Sequence, residues 1–171
     1  MSSASAAVAT NRSLKGTSAG VLAGIKQNRS NRPLSICSDV EGKTTHNPQL
    51  TGRLLVLKHV ELLVLASYLE SETGFSMANQ KVFRDMDFLT RGGRIPFICG
   101  IDANRNKAAW AEVMWGDVLF LDHIRADIVE VTNSLFTCRG AANTIGGSNI
   151  DYFIISRDLM AMVISVLADF S

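Results

Sequence analysis

Residues 79–104 constrain the fold more than any other part of this sequence. Over 79–89, Val82, Phe83, Met86 and Leu89 recur at the spacing that places them on one side of a helix, with Arg84, Asp85 and Asp87 on the other. Gly92-Gly93 follows, as expected where a chain leaves a helix through a left-handed turn. The stretch Ile95-Pro96-Phe97-Ile98-Cys99-Gly100 then has the length and apolarity of a short buried strand. Helix, turn and strand in this order predict an α/β fold. Asp102 and Asn104 fall just past the strand's C-terminal end, where such folds present their chemistry.

The alternation extends in both directions. Residues 54–57 and 62–68 are apolar runs separated by Lys58, His59 and Glu61, which suits two strands with a tight connection, although their leucines also permit one helix. Residues 108–115 read as a second helix, 124–131 as a short apolar segment, 140–147 as a flexible loop and 150–155 as a closing strand. Upstream, 16–24 is small and glycine-rich. It lacks the Gly-Lys-Ser/Thr ending of a phosphate-binding loop and suits a tightly packed strand entrance instead. Residues 27–33 and 39–49 read as loops around the apolar stretch 34–37. Phe97, Ile98, Cys99, Ile150, Phe153 and Ile155 are expected in the core, because both of their strands are continuously apolar.

With 171 residues, 47% hydrophobic and 19% charged, the chain suits one domain with a real core and is too apolar to be disordered throughout. Residues 1–15 read as a disordered or targeting-like tail and 16–171 as the domain. A formal charge of +1 excludes a global attraction to nucleic acid or membrane, so any phosphate site must be local. Arg12, Lys15, Lys26, Arg29 and Arg32 precede the first acid, Asp39, and the serines at 2, 3 and 5 add the look of a transit peptide; without a long amphipathic segment, a plain tail is favoured. No apolar signal-peptide segment opens the chain. The apolar run 159–168 falls short of the ~20 residues needed to cross a bilayer, so no membrane partner is expected. Cys37, Cys99 and Cys138 are odd in number and widely spaced, which argues against a disulfide framework or zinc site and for a reducing, intracellular home in nucleus or cytoplasm.

Three stretches in fixed order carry a resemblance: Phe97-Ile98-Cys99-Gly100-Ile101-Asp102-Ala103-Asn104, then Thr137-Cys138-Arg139, then Ser148-Asn149-Ile150-Asp151-Tyr152-Phe153-Ile154-Ile155-Ser156. Together they resemble the endonuclease/exonuclease/phosphatase family, in which a buried strand ends in Gly-Asp-Phe-Asn and a later threonine precedes an Ile-Asp-Tyr strand that ends in serine. Residues 16–24 are similar to the family's Gly-Gly-Val strand and 62–68 to the strand ending at its active-site tyrosine, so the likeness runs from about Gly16 onward. A fainter likeness is to the endonuclease domains of retroelements. The resemblance implies a partial four-layer α/β sandwich, two sheets flanked by helices, acting as a metal-dependent phosphodiester hydrolase with Mg²⁺ as cofactor and nucleic acid as partner. By the same resemblance Asp102 would orient or deprotonate the attacking water and Asn104 would hydrogen-bond a phosphate oxygen. Tyr68 would stabilise developing charge and Asp151 would hold a catalytic histidine. Whether the substrate is DNA, RNA, a lipid headgroup or a small phosphate ester stays open, because the selecting loops vary within the fold.

Several family positions have no match. The metal-binding Glu and an early Asn would lie before 16–24, where only a short Ser/Ala-rich tail stands. The final Asp-His pair would follow a strand over 160–168, after which the sequence reads Asp169-Phe170-Ser171. His46, His59 and His123 occupy other positions and are expected to be surface or structural histidines. Ile101 replaces a second Gly, Ser67 a frequent Asn, and Leu69-Glu70 the usual following Pro. The domain is therefore expected to be truncated, to bind Mg²⁺ poorly and to be weakly active or inactive alone. The competing expectation is a non-catalytic remnant of the fold, kept as a binding module or without function.

Overall fold

The computed structural model describes residues 2–6, 11–13, 16–18, 22–26, 31–33, 47, 49–58, 60–70, 76–115, 118–131, 138–139 and 147–165. The strands in chain order are β1 (Ser2–Ala6), β2 (Asn11–Ser13), β3 (Gly16–Ser18), β4 (Leu22–Lys26), β5 (Asn31–Pro33), β6 (Leu50–Leu57), β7 (Val60–Tyr68), β8 (Phe97–Asp102), β9 (Met114–Trp115), β10 (Val118–Leu119), β11 (Ala126–Glu130), β12 (Cys138–Arg139), β13 (Gly147–Ser148) and β14 (Asp151–Ser156). The helices are α1 (Met77–Thr90), α2 (Lys107–Ala111), α3 (Phe120–His123) and α4 (Arg157–Met160).

One mixed sheet, in the order β11-β14-β8-β7-β6-β5, organises the molecule. Among the described residues its only parallel pair is β7 with β8, joined by the α1 crossover; the other ladders are antiparallel. Pairing on both edges explains why the leucine-rich run before Tyr68 is a strand and not a helix: β7 fills its hydrogen bonds to β6 and β8, and its leucines serve both faces. In the stretch read from composition as a tail, β1 pairs with β4, and both approach β6. This is the expected partial α/β sandwich. No helix among the described residues is long and apolar enough to cross a membrane.

Helix α1 has local causes at each end. Ser76 caps it by accepting the Asn79 N–H at 3.1 Å. The chain leaves through Arg91, Gly92 and Gly93 at φ of 52°, 64° and 75°. The left-handed cap is Arg91, one residue before the glycine pair, while Gly93 has a second reason to be glycine: a Cβ there would lie 2.2 Å from the Ile124 carbonyl oxygen. Val82, Phe83 and Met86 of α1 pack on Leu63, Leu65, Phe97, Cys99, Tyr152 and Ile154, and none of these is more than 4% exposed.

Four expectations are corrected. Of the predicted core, Phe97, Cys99 and Ile155 are buried, but Ile98, Ile150 and Phe153 are half-buried: Ile98 and Phe153 lie on the face opposite Phe97, Cys99 and α1, and Ile150 precedes β14, while Ile155 is buried although it pairs with Ile98 on that opposite face. Helix α2 ends at Ala111 and does not reach residue 115; the Val113 N–H turns back to the Trp110 carbonyl at 3.2 Å, and Met114–Trp115 pairs with Val118–Leu119. Met160 closes α4, and the Met162 and Val163 N–H groups turn back to Leu159 and Met160, so no strand runs over 160–165. Residues 31–33, read as part of a loop over 27–33, form β5 paired with β6, because their main chain extends the sheet edge. Residues 34–37, 140–146 and 166–168, with Thr137, His46 and His59, lie outside the described residues.

Candidate active site

Strand register brings three of the four candidate residues into one row. Tyr68 at the end of β7 is the Cα partner of Asp102 at the end of β8, and Asp102 is the partner of Asp151 at the start of β14. Directly opposed residues share a face. The row therefore stands on the face away from α1, and all three residues are half-buried. The alternate residues Ser67, Ile101 and Tyr152 face α1 and are buried.

Asn104 follows at a φ of 50°, a left-handed conformation that asparagine tolerates better than most residues. Its N–H donates to Asp102 Oδ1 at 3.1 Å, an Asx-type turn, and its Nδ2 donates to the Leu69 carbonyl at 2.7 Å. One of its two amide hydrogens is thus committed to the main chain. Ala103 seals the turn: its N–H donates to Ile150 O at 2.7 Å and its carbonyl accepts the Trp110 indole at 2.9 Å. Asp102 sits above its ordinary carboxyl value, raised first by burial, lowered by the Asn104 N–H, and raised again by the charge of Asp151. Such a shift makes it a better proton acceptor where the site needs a base.

The far end of the motif strands is held by Ser156. Its hydroxyl accepts the Phe97 N–H at 2.6 Å and donates to the Phe97 carbonyl at 3.2 Å, which pins the β8–β14 register that aligns Asp102 with Asp151. Ile101, at the family's glycine position, has no positive φ and is 5% exposed in the α1-side core, so the backbone there needs no glycine. The one described histidine, His123, places Nε2 2.9 Å from Asp87 Oδ1, linking α3 to the late part of α1. The site lies at the other end of that helix, whose third residue, Asn79, bonds Glu70 just past Tyr68. At ~1.5 Å per residue, the eight residues from Asn79 to Asp87 span roughly 12 Å.

Three residues near the row were missed from the sequence: Gln49, Asn79 and, behind them, Asn47. Asn79 carried a usable signal, because it extends the apolar stripe of Val82, Phe83 and Met86 and is a polar residue on a buried helix face.

No protein-family model matches the sequence, and no curated protein matches it. Among solved structures, the chain is similar to the endonuclease domain of TRAS1, a telomere-specific non-LTR retrotransposon, with a TM-score of 0.60 and 12% identity over 92% of this chain and 69% of that one. It is also similar to humanized D. rerio TDP2 (TM-score 0.47, 16% identity, 88% of this chain, 60% of that one). A third neighbour is the human Nocturnin catalytic domain (TM-score 0.44, 14% identity, 81% of this chain, 51% of that one). The chain thus spans about half to two-thirds of the length of these structures, and at such identities the likeness is one of fold.

Proposed function

Because the chain has an endonuclease/exonuclease/phosphatase-type fold, we propose that Tyr68, Asp102 and Asp151, with Asn104 beside them, form the phosphate-facing row of a phosphodiester hydrolase. The observation that carries this proposal is the register that aligns the three at the C-terminal ends of the parallel pair β7 and β8. Asp102, with its raised carboxyl pKa, orients the attacking water and accepts its proton. The Tyr68 phenol donates to a phosphoryl oxygen, and Asn104 offers its second amide hydrogen to another. Asp151 borders Asp102 and keeps the row acidic. The endonuclease neighbour makes DNA the first substrate to test.

Magnesium, which the fold family implies, would supply charge neutralisation at the phosphoryl oxygens. Among the described residues no group of three His, Cys, Asp or Glu converges, so Asp102 and Asp151 would be the carboxylates offered to the ion, with water and substrate filling the rest of its shell. We infer slow turnover from these residues alone. The same observation favours a second reading, a fold remnant that binds phosphate-containing ligands without cleaving them.

The test is cleavage of a labelled DNA duplex and of bis(p-nitrophenyl) phosphate, with and without Mg²⁺, by the natural chain and by Asp102→Ala. Turnover that falls about 100-fold or more in Asp102→Ala supports hydrolysis, since loss of a general base costs ~10²–10⁴. Duplex binding without turnover selects the remnant. Turnover indifferent to Asp102 removes the row from either role.

A further inference from the structure

The main chain just past Tyr68 is held in an unusual way. The β7 ladder ends on both sides here, with β6 at Leu50–Ser67 and with β8 at Tyr68–Asp102, yet all six main-chain polar groups of residues 68–70 are hydrogen-bonded. The Tyr68 N–H donates to Gln49 O at 2.9 Å, and its carbonyl accepts Gln49 Nε2 at 3.3 Å. The Leu69 N–H donates to Asp102 O at 2.9 Å, and its carbonyl accepts Asn104 Nδ2 at 2.7 Å. The Glu70 N–H donates to Asn79 Oδ1 at 2.8 Å, and its carbonyl accepts Asn79 Nδ2 at 3.2 Å. Side-chain amides fill four of these six places. An amide carries a donor and an acceptor on separate atoms at one side-chain end, so Asn79 can stand in for a missing strand partner.

The amides are themselves fixed. Asn79 is 0% exposed, and its N–H is capped by Ser76 Oγ at the start of α1. Gln49 is 7% exposed, its Nε2 reaches Asn79 Oδ1 at 3.4 Å, and its N–H is held by Asn47 Oδ1 at 2.9 Å. Asn47 bonds Asp85, which Lys81 neutralises at 2.7 Å. A buried polar set of this kind is costly unless it is satisfied and rigid once it is. A proline at residue 70, as the family often has after its tyrosine, would have no N–H to give Asn79.

We propose that Asn79 and Gln49 are positioning residues for Tyr68: their buried amides fix the 68–70 main chain, and through it the place of the Tyr68 phenol beside Asp102. The proposal rests on the reading of Tyr68 as phosphate-facing. Neither residue touches the reacting atoms.

The experiment uses the full chain with ring-labelled tyrosine, whose only two tyrosines, Tyr68 and Tyr152, report the two faces of the sheet. In Asn79→Ala the Tyr68 ring signal moves and broadens, and exchange of the Glu70 amide accelerates on the order of tenfold or more, while Tyr152 and the Cys99 amide stay unchanged. Asn79→Asp keeps the shape and the acceptor for the Glu70 N–H, and it sits in the first helical turn where negative charge is favoured. It should fold and fall between the two. A Tyr68 signal unmoved in both variants overturns the proposal, as does a parallel change in Tyr152 and Cys99, which would mark general destabilisation. If the natural chain hydrolyses phosphodiesters, kcat in Asn79→Ala falls about 10- to 100-fold with KM little changed. A natural chain without hydrolysis breaks the functional reading, and the ring signal still decides the positioning.

Discussion

Along β8 the side chains alternate between two environments. Phe97, Cys99 and Ile101 enter a sealed core against α1, whereas Ile98, Gly100 and Asp102 lie on the other face, which stays partly open to water. The same division holds over the first four residues of β14, where Tyr152 and Ile154 face α1 and lie buried while Asp151 and Phe153 do neither; beyond them Ile155 is buried on the second face as well. A sealed face selects for volume and shape, since a void there loses both transfer energy and contacts. The open face tolerates carboxylates, because water and main-chain N–H groups can still solvate them. The candidate site occupies the open face at its polar end. The sealed face holds the strands that aim it.

Truncating an aromatic on each face breaks or upholds this contrast most sharply. Phe97→Ala should cost about 3–5 kcal/mol in urea unfolding, and Phe153→Ala less than half of that, since Phe97 is fully buried and Phe153 is not. Equal costs would mean that both faces are sealed in solution. The next largest effect is expected where α1 turns back to β8. Gly93→Ala should cost about 2–3 kcal/mol, because it combines a positive φ with a Cβ driven into Ile124; Gly92→Ala, which meets only Asp87 Oδ1 at 3.9 Å, should cost roughly 1 kcal/mol. If the order reverses, the sealed edge is not limited by that backbone approach.

Smaller effects probe a polar group on each face. Ser67 Oγ, on the sealed side, is the buried side-chain oxygen without a hydrogen-bond partner among the described residues. Ser67→Ala should therefore stabilise the fold by about 1 kcal/mol, measured by thermal melting; a loss would reveal a bonded partner. On the open side, the folded chain holds the Asp102 proton more tightly than the unfolded chain does. Stability then falls as pH rises from the ordinary carboxyl range through the raised value, and at neutral pH the charge is a net cost. Asp102→Asn should raise Tm slightly at neutral pH and leave it unchanged below the ordinary carboxyl range. A neutral-pH decrease would show that the partners of the carboxylate outweigh its desolvation.

Much of the scaffold was legible in the residues. The stripe Val82, Phe83, Met86 and Leu89 reported α1, the runs before Tyr68 and Asp102 reported β7 and β8, and the strand-end positions of Tyr68, Asp102 and Asp151 pointed to the row now seen in register. These are local properties: a period, a turn residue or a strand length is written in consecutive positions. The face on which each strand residue would be buried was not written there. Ile98 and Phe153 are as apolar as Cys99 and Ile154, and only the packing of α1 on one side separated them. Nor could spacing show that Gln49 and Asn79 would meet Tyr68 and Glu70, since Gln49 and Asn79 lie 30 residues apart and become neighbours only when α1 crosses the sheet. A side-chain amide has the same composition in a loop as in a clamp, and its role is decided by which main-chain groups the fold leaves unpaired beside it.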